Sequence, residues 1–112
     1  YGPAVRDLRR NLEINKLDNV DVIGGDAVRE FPDQDADVLV VAPPRAGLAP
    51  EAIDLIASTS ARDVAYVSCD PATLARDARM LSADYELVQV TPLDLFPHSP
   101  HVESVSCWQR RA

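Results

Sequence analysis

The feature that most constrains this chain is Asp37-Val38-Leu39-Val40-Val41-Ala42, a continuous apolar run stopped by Pro43-Pro44. A short run without polar alternation is the pattern of a strand buried on both faces, as in sheets sandwiched between helices. Val64 to Ser68 repeats the pattern, and Cys69-Asp70-Pro71 then leads into a helix-like stretch. Apolar strands that alternate with helices call for an α/β sheet.

The remaining segments fit that frame. Residues 3–17 read as a helix, with Pro3 at its first position and Val5, Leu8 and Leu12 on one face. Val20-Asp21-Val22-Ile23 reads as a short strand ending at Gly24-Gly25-Asp26, with Asp26 capping a helical turn over 27–31. A helix over 50–58 starts at Pro50 and turns Ile53, Ile56 and Ala57 inward. Another opens at Pro71, with Leu74, Ala78 and Leu81 inside and Arg76, Asp77 and Arg79 outside. Tyr85 to Thr91 and Val102 to Gln109 read as two antiparallel strands joined by a loop rich in Pro and His. The expected fold is therefore an open α/β sheet, mostly parallel, with an antiparallel terminal strand pair. Ligands of such sheets sit beyond the carboxyl ends of the strands. That rule points to Gly24-Gly25-Asp26, to Ala42-Pro43-Pro44-Arg45, to Cys69-Asp70-Pro71 and to the loop before Val102.

Composition narrows the function classes. The 112 residues are 46% hydrophobic, which suits one globular domain at most and argues against disorder. The net charge is −7, and the positive side chains are scattered: Arg6, Arg9 and Arg10, then Arg76 and Arg79, then Arg110 and Arg111. A nucleic-acid binder usually carries a basic stripe, so for an RNA or DNA partner most phosphate binding must come from elsewhere. No apolar run approaches the ~20 residues of a membrane span, and no signal pattern opens the chain. Cys69 and Cys107 make no disulfide framework and suit a reducing, cytoplasmic setting. Met80 is the single methionine, so the chain is expected to be a piece of a longer protein.

Cys69 is the sharpest chemical candidate. It lies between the end of a buried strand and the start of a helix, whose N-terminal partial charge favours the nucleophilic thiolate. The neighbouring Asp70 works against that, and a small buried residue ending a strand is the competing reading. Glu103 heads the face that Val105 and Cys107 share on the last strand. A carboxylate at the head of an inward apolar face suits a proton acceptor; an exposed strand end is the plainer alternative. Asp26 suits a hydrogen bond from a nucleotide amino group and equally suits capping. Arg45 suits a phosphate or carboxylate, or a surface ion pair. His98 and His101 are too loosely spaced from either cysteine, with no CxxC companion, to read as a metal site; with Asp94 they read as shaping the loop.

Three segments in order carry a resemblance. They are Pro43-Pro44-Arg45-Ala46-Gly47, Tyr66-Val67-Ser68-Cys69-Asp70-Pro71-Ala72-Thr73-Leu74-Ala75-Arg76-Asp77, and Asp94-Leu95-Phe96-Pro97-His98-Ser99-Pro100-His101-Val102-Glu103-Ser104. Nearly the whole chain resembles the carboxyl-terminal part of the RNA 5-methyluridine (uracil-C5) methyltransferase family, enzymes dependent on S-adenosyl-L-methionine. The resemblance implies a partial Rossmann-like class I methyltransferase sheet over residues 1–112, without its first strands and cofactor loop. It implies rRNA or tRNA as the partner and no membrane. It makes Cys69 the nucleophile at uracil C6, Glu103 the acceptor of the C5 proton, and Asp26 a contact to the adenosine of the cofactor. Uracil C5 needs such covalent activation, and reaching C6 requires the base to leave its stack.

Two departures matter. The family aspartate that faces the cofactor and target base is Ala42 here, which removes a carboxylate acceptor. Asp70 stands where asparagine is common. The family topology puts the missing strands between the Val20 strand and the Val38 strand. An open gap there leaves buried backbone groups unpaired, so either the Val20 strand docks beside the Val38 strand or another chain pairs into the gap. The 112 residues alone are expected to be close to inactive. A methyltransferase-like module kept for binding, without catalysis, is the alternative that Ala42 and the acidic surface favour.

Overall fold

The computed structural model describes residues 2–31 and 35–112. The chain divides into two compact units, Tyr1–Pro32 and Asp33–Ala112.

In the first unit, α1 spans Gly2–Ile14. It stops where the chain turns back on itself at Lys16, whose φ is 54°. The Leu17 amide donates to the Leu12 carbonyl at 2.9 Å and the Lys16 amide to Glu13 at 3.1 Å. This is a Schellman closure of a helix end, with lysine in the left-handed position usually given to glycine. The strand expected over 20–23 is not formed. These residues belong to no strand, so the pairing expected beside Val38 is absent from the strand order of the sheet. Four residues make too few ladder bonds to persist without packing, and β propensity expresses only such packing. The turn after them matches its reading: Asp26 Oδ1 accepts from the amides of Val28 and Arg29 at 2.9 and 3.2 Å.

The second unit is a four-stranded sheet with two helices. Its elements are β1 Val38–Val41, α2 Pro50–Ser58, β2 Asp63–Ser68, α3 Pro71–Leu81, β3 Tyr85–Leu93 and β4 Glu103–Arg110. Proline opens both helices. In α3 the Asp70 side chain also accepts from the amides of Ala72 and Thr73 at 2.9 and 3.4 Å, so the helix start is fixed twice.

The strand order is β1-β2-β4-β3. The β1–β2 pair is parallel, whereas β2–β4 and β3–β4 are antiparallel. The expectation of a mostly parallel sheet is thus corrected. Three strands do run the same way, but the reversed strand β4 lies inside the sheet and makes both of its pairings antiparallel. The expected antiparallel pairing of the last two strands is present.

On β2 and β4 the buried residues alternate and face each other: Val64 opposite Trp108, Tyr66 opposite Ser106, Ser68 opposite Ser104. With Ile53, Ile56, Leu81 and Tyr85 they form the core. Of the buried serines, Ser106 is satisfied by Trp108, whose indole N–H donates to its Oγ at 2.9 Å, and Ser68 by the Asp70 backbone, whereas Ser104 Oγ has no partner among the described residues. The other face is more open. Val38 and Val40 are 53% and 70% exposed, so β1 is not buried on both faces as its composition suggests. It is an edge strand, and its apolar content reflects the strand it is, not the cover it has.

Candidate active site

The topology brings the chemical candidates to one end of the sheet. Because β1 and β2 are parallel, Ala42 and Cys69 leave the sheet at the same edge. Because β4 is antiparallel to β2, its first residue, Glu103, starts at that edge too. The β2–β4 ladder ends with Ser68 opposite Ser104, and Cys69 and Glu103 are the residues next to that last pair on the two strands. Residues opposed as Ser68 and Ser104 are have Cα atoms about 5 Å apart, which sets the two strand ends side by side. The β1 register, with Val41 opposite Tyr66, leaves Ala42 two residues short of Cys69 along the neighbouring strand, so Ala42 and Glu103 share the end of the sheet at which Cys69 emerges.

The turn carrying Cys69 is held from behind. The buried Ser68 hydroxyl donates to the Asp70 carbonyl at 2.9 Å and accepts from the Asp70 amide at 3.1 Å. With Asp70 capping α3, the backbone on both sides of Cys69 is fixed. The cysteine is half-buried and unpaired with Cys107, which is exposed.

Glu103 is also half-buried, but its surroundings differ from those expected. The face it shares with Val105 and Cys107 is the open one; the inward face of β4 carries Ser104, Ser106 and Trp108. Polarity misleads here, because buried serines read as outward residues. Ala42 is exposed and brings no polar group. Arg45 reaches the loop before β4, with Nη2 3.2 Å from His101 Nδ1, and Phe96 meets the same ring edge-on. His98 adopts a left-handed φ of 60°. Among the described residues no group of three His, Cys, Asp or Glu side chains comes together to hold a metal. Asp26 belongs to the first unit, where one carboxylate oxygen caps its own turn.

A second cluster, not anticipated as functional, lies beneath the loop after β1. Asp77 is fully buried, although its charge suggests the outer face of α3. It accepts from the Tyr66 hydroxyl at 2.5 Å, from the Leu48 amide at 2.8 Å and from Arg76 Nη2 at 3.1 Å. Arg76 Nη2 also donates to the Ala46 carbonyl at 2.6 Å. The Tyr66 phenol is pushed well above its ordinary value, first by burial and then by the hydrogen bond to Asp77. The signal was present in the spacing: 74, 77, 78 and 81 share one helix stripe.

Comparison with known proteins gives this arrangement a context. A family model described as tRNA (Uracil-5-)-methyltransferase matches residues 2–111. The chain is 42% identical over 103 residues to the tRNA (uracil(54)-C(5))-methyltransferase of Pyrococcus abyssi, covering 92% of this chain and 24% of that protein. It is 37% identical over 114 residues to an uncharacterised RNA methyltransferase of Lactobacillus johnsonii, covering 96% of this chain and 25% of that one. The crystal structure of the Pyrococcus abyssi tRNA (uracil-54, C5)-methyltransferase with S-adenosyl-L-homocysteine superposes with a TM-score of 0.82 at 39% identity, over 96% of this chain and 26% of that one. The chain therefore spans about a quarter of the length of these relatives. On the match over residues 2–111, this chain belongs to the tRNA (uracil-5-)-methyltransferase family.

Proposed function

We propose that these residues are the carboxyl-terminal part of the catalytic domain of an S-adenosyl-L-methionine-dependent methyltransferase that forms 5-methyluridine in rRNA or tRNA. The observation that supports this reading is the β2–β4 register, which ends with Ser68 opposite Ser104 and so brings the strand ends carrying Cys69 and Glu103 together, at the end of the sheet where Ala42 and the Arg45 loop also emerge.

In this reading the Cys69 thiolate adds to C6 of an extruded uracil, forming an S–C6 bond and making C5 a carbon nucleophile. The cofactor, when bound, supplies an electrophilic methyl group. Once C5 carries both the methyl group and its hydrogen, Glu103 accepts that hydrogen as a proton. The electron pair left on C5 re-forms the C5–C6 double bond, and Cys69 departs as thiolate. The half-buried turn, clamped by Ser68 and Asp70, keeps the sulfur oriented through both covalent steps.

Of the residues in this chain, Asp26 suits the cofactor. One oxygen is engaged by the turn it caps, and the other takes no hydrogen bond among the described residues, so it is free to accept from an adenine amine. Ala42 does not suit a polar contact. Its exposed methyl side chain favours a second reading, a methyltransferase-like module that binds without turning over.

The test is denaturing electrophoresis after incubating 5-fluorouridine-substituted tRNA or rRNA fragments with S-adenosyl-L-methionine and the protein carrying this chain. A covalent protein–RNA band is expected, and Cys69→Ala should abolish it with at least a 1000-fold loss of methyl transfer. Full methylation by Cys69→Ala removes the nucleophile from this reading. A wild-type protein that binds RNA and forms no adduct favours the binding module. Robust turnover by the 112 residues alone contradicts their assignment as one part of the catalytic domain.

A further inference from the structure

Asp77 takes no part in the chemistry above, yet a fully buried carboxylate at a core position of α3 is a costly choice. An apolar residue of similar size is often at least as stabilising there, so a buried ionic group invites a reason beyond stability. Its partners supply one. The Leu48 amide comes from the loop after β1, the Tyr66 hydroxyl from β2 three residues before Cys69, and Arg76 from α3, the helix that begins after Cys69. Arg76 extends the grip on the same loop, with Nη2 2.6 Å from the Ala46 carbonyl and 3.4 Å from that of Leu48. Gly47 completes the fit: its φ is +80°, and a Cβ there would fall 2.6 Å from both Arg76 Nη2 and Asp77 Oδ2. The loop is drawn against α3 until only a hydrogen atom fits between them.

The held loop carries Arg45, and Arg45 contacts His101, two residues before Glu103. The cluster thus ties together the three segments that emerge around Cys69. We propose that Asp77, with Tyr66 and Arg76, is a positioning network that fixes the loop over Ala46–Leu48 and thereby sets Arg45 beside the Cys69–Glu103 edge for an RNA phosphate. This rests on the methyltransferase reading only for what Arg45 then meets; the holding of the loop stands on the geometry. Asp77 is a positioning residue, since the Leu48 amide, Tyr66 and Arg76 occupy it from within the protein.

Arg76→Gln is the incisive variant, because the Arg76 side chain is 52% exposed and its loss does not open the core. Hydrogen exchange should show the Leu48 amide exchanging at least tenfold faster, with the β2 amides unchanged. In the protein carrying this chain, KM for a uridine-containing RNA should rise about tenfold with kcat within twofold. The decisive comparison is with Arg45→Gln: the double variant should bind RNA no worse than Arg45→Gln alone, because both act through one guanidinium. A merely structural role predicts additive losses, and additivity overturns the proposal. So does an unchanged Leu48 exchange rate. Asp77→Asn, which keeps the shape but loses the charge that orients Arg76, should reproduce the Arg76→Gln effects. The exchange result requires no turnover, so an inactive wild-type protein defeats the methyltransferase reading without touching the loop-holding result.

Discussion

Gly47 shows how a single residue can be dictated by what lies outside it. Its positive φ is a conformation that costs an L-residue about 1–2 kcal/mol, and the space where a Cβ would go is taken by Arg76 and Asp77. Gly47→Ala should therefore lower the free energy of unfolding by roughly 2 kcal/mol or more, read from urea denaturation. Gly2→Ala is the control: nothing lies within 4 Å of its would-be Cβ, and in a helix alanine is the better former, so no loss is expected. At this scale the sequence was legible wherever a residue acts on its own neighbours. Asp70 caps, Pro50 and Pro71 start helices, and Asp26 closes its turn as their identities demand. Asp77, Ser104 and Ser106 were illegible because each is a polar residue on a buried stripe. Partners distant in sequence, the Leu48 amide for Asp77 and the Tyr66 carbonyl for Ser106, make these two acceptable there. The assignment of Glu103, Val105 and Cys107 to the inward face failed for the same reason: Ser104 and Ser106, and not the valine and cysteine, point into the core.

Between elements, Tyr66 is the joint that ties β2 to α3, and it makes that joint sensitive to alkali. Its folded phenol holds a proton more tightly than the unfolded chain does, because burial and Asp77 both disfavour the phenolate. Above pH of about 10 the unfolded chain releases this proton while the folded chain keeps it, so stability must fall as pH rises. Below that value the contribution is fully present. Urea midpoints measured between pH 8 and 11 should decline for the wild-type protein. Tyr66→Phe should begin about 1 kcal/mol lower at pH 8 and then decline less steeply. The elements themselves were largely readable, since α2, α3, β2, β3 and β4 each announce their period and their ends in local residues. The failures were relational. The 20–23 segment has the composition of a strand but no partner in the sheet, and the parallel majority was lost because nothing in β4 says which two strands will receive it.

As a whole, the molecule distributes its protection unevenly. None of the described residues of 2–31 is buried, whereas β2 and β4 alternate buried residues along their length. Amide exchange should accordingly be fast throughout α1, with openings costing far less than global unfolding, and slowest in Val64–Tyr66 and Ser106–Trp108. Protection of α1 equal to that of β2 would overturn this ranking. The interior place of β4 has one more consequence, for the order of assembly. The sheet is continuous only once residues 103–110 have slid between β2 and β3, and of the four strands theirs is the last to leave a ribosome. Pairings so distant along the chain form late and slowly. A nascent chain can therefore complete the cysteine turn while the carboxylate proposed to serve it is still unmade, and the two strand ends meet only after the last of the four strands has emerged.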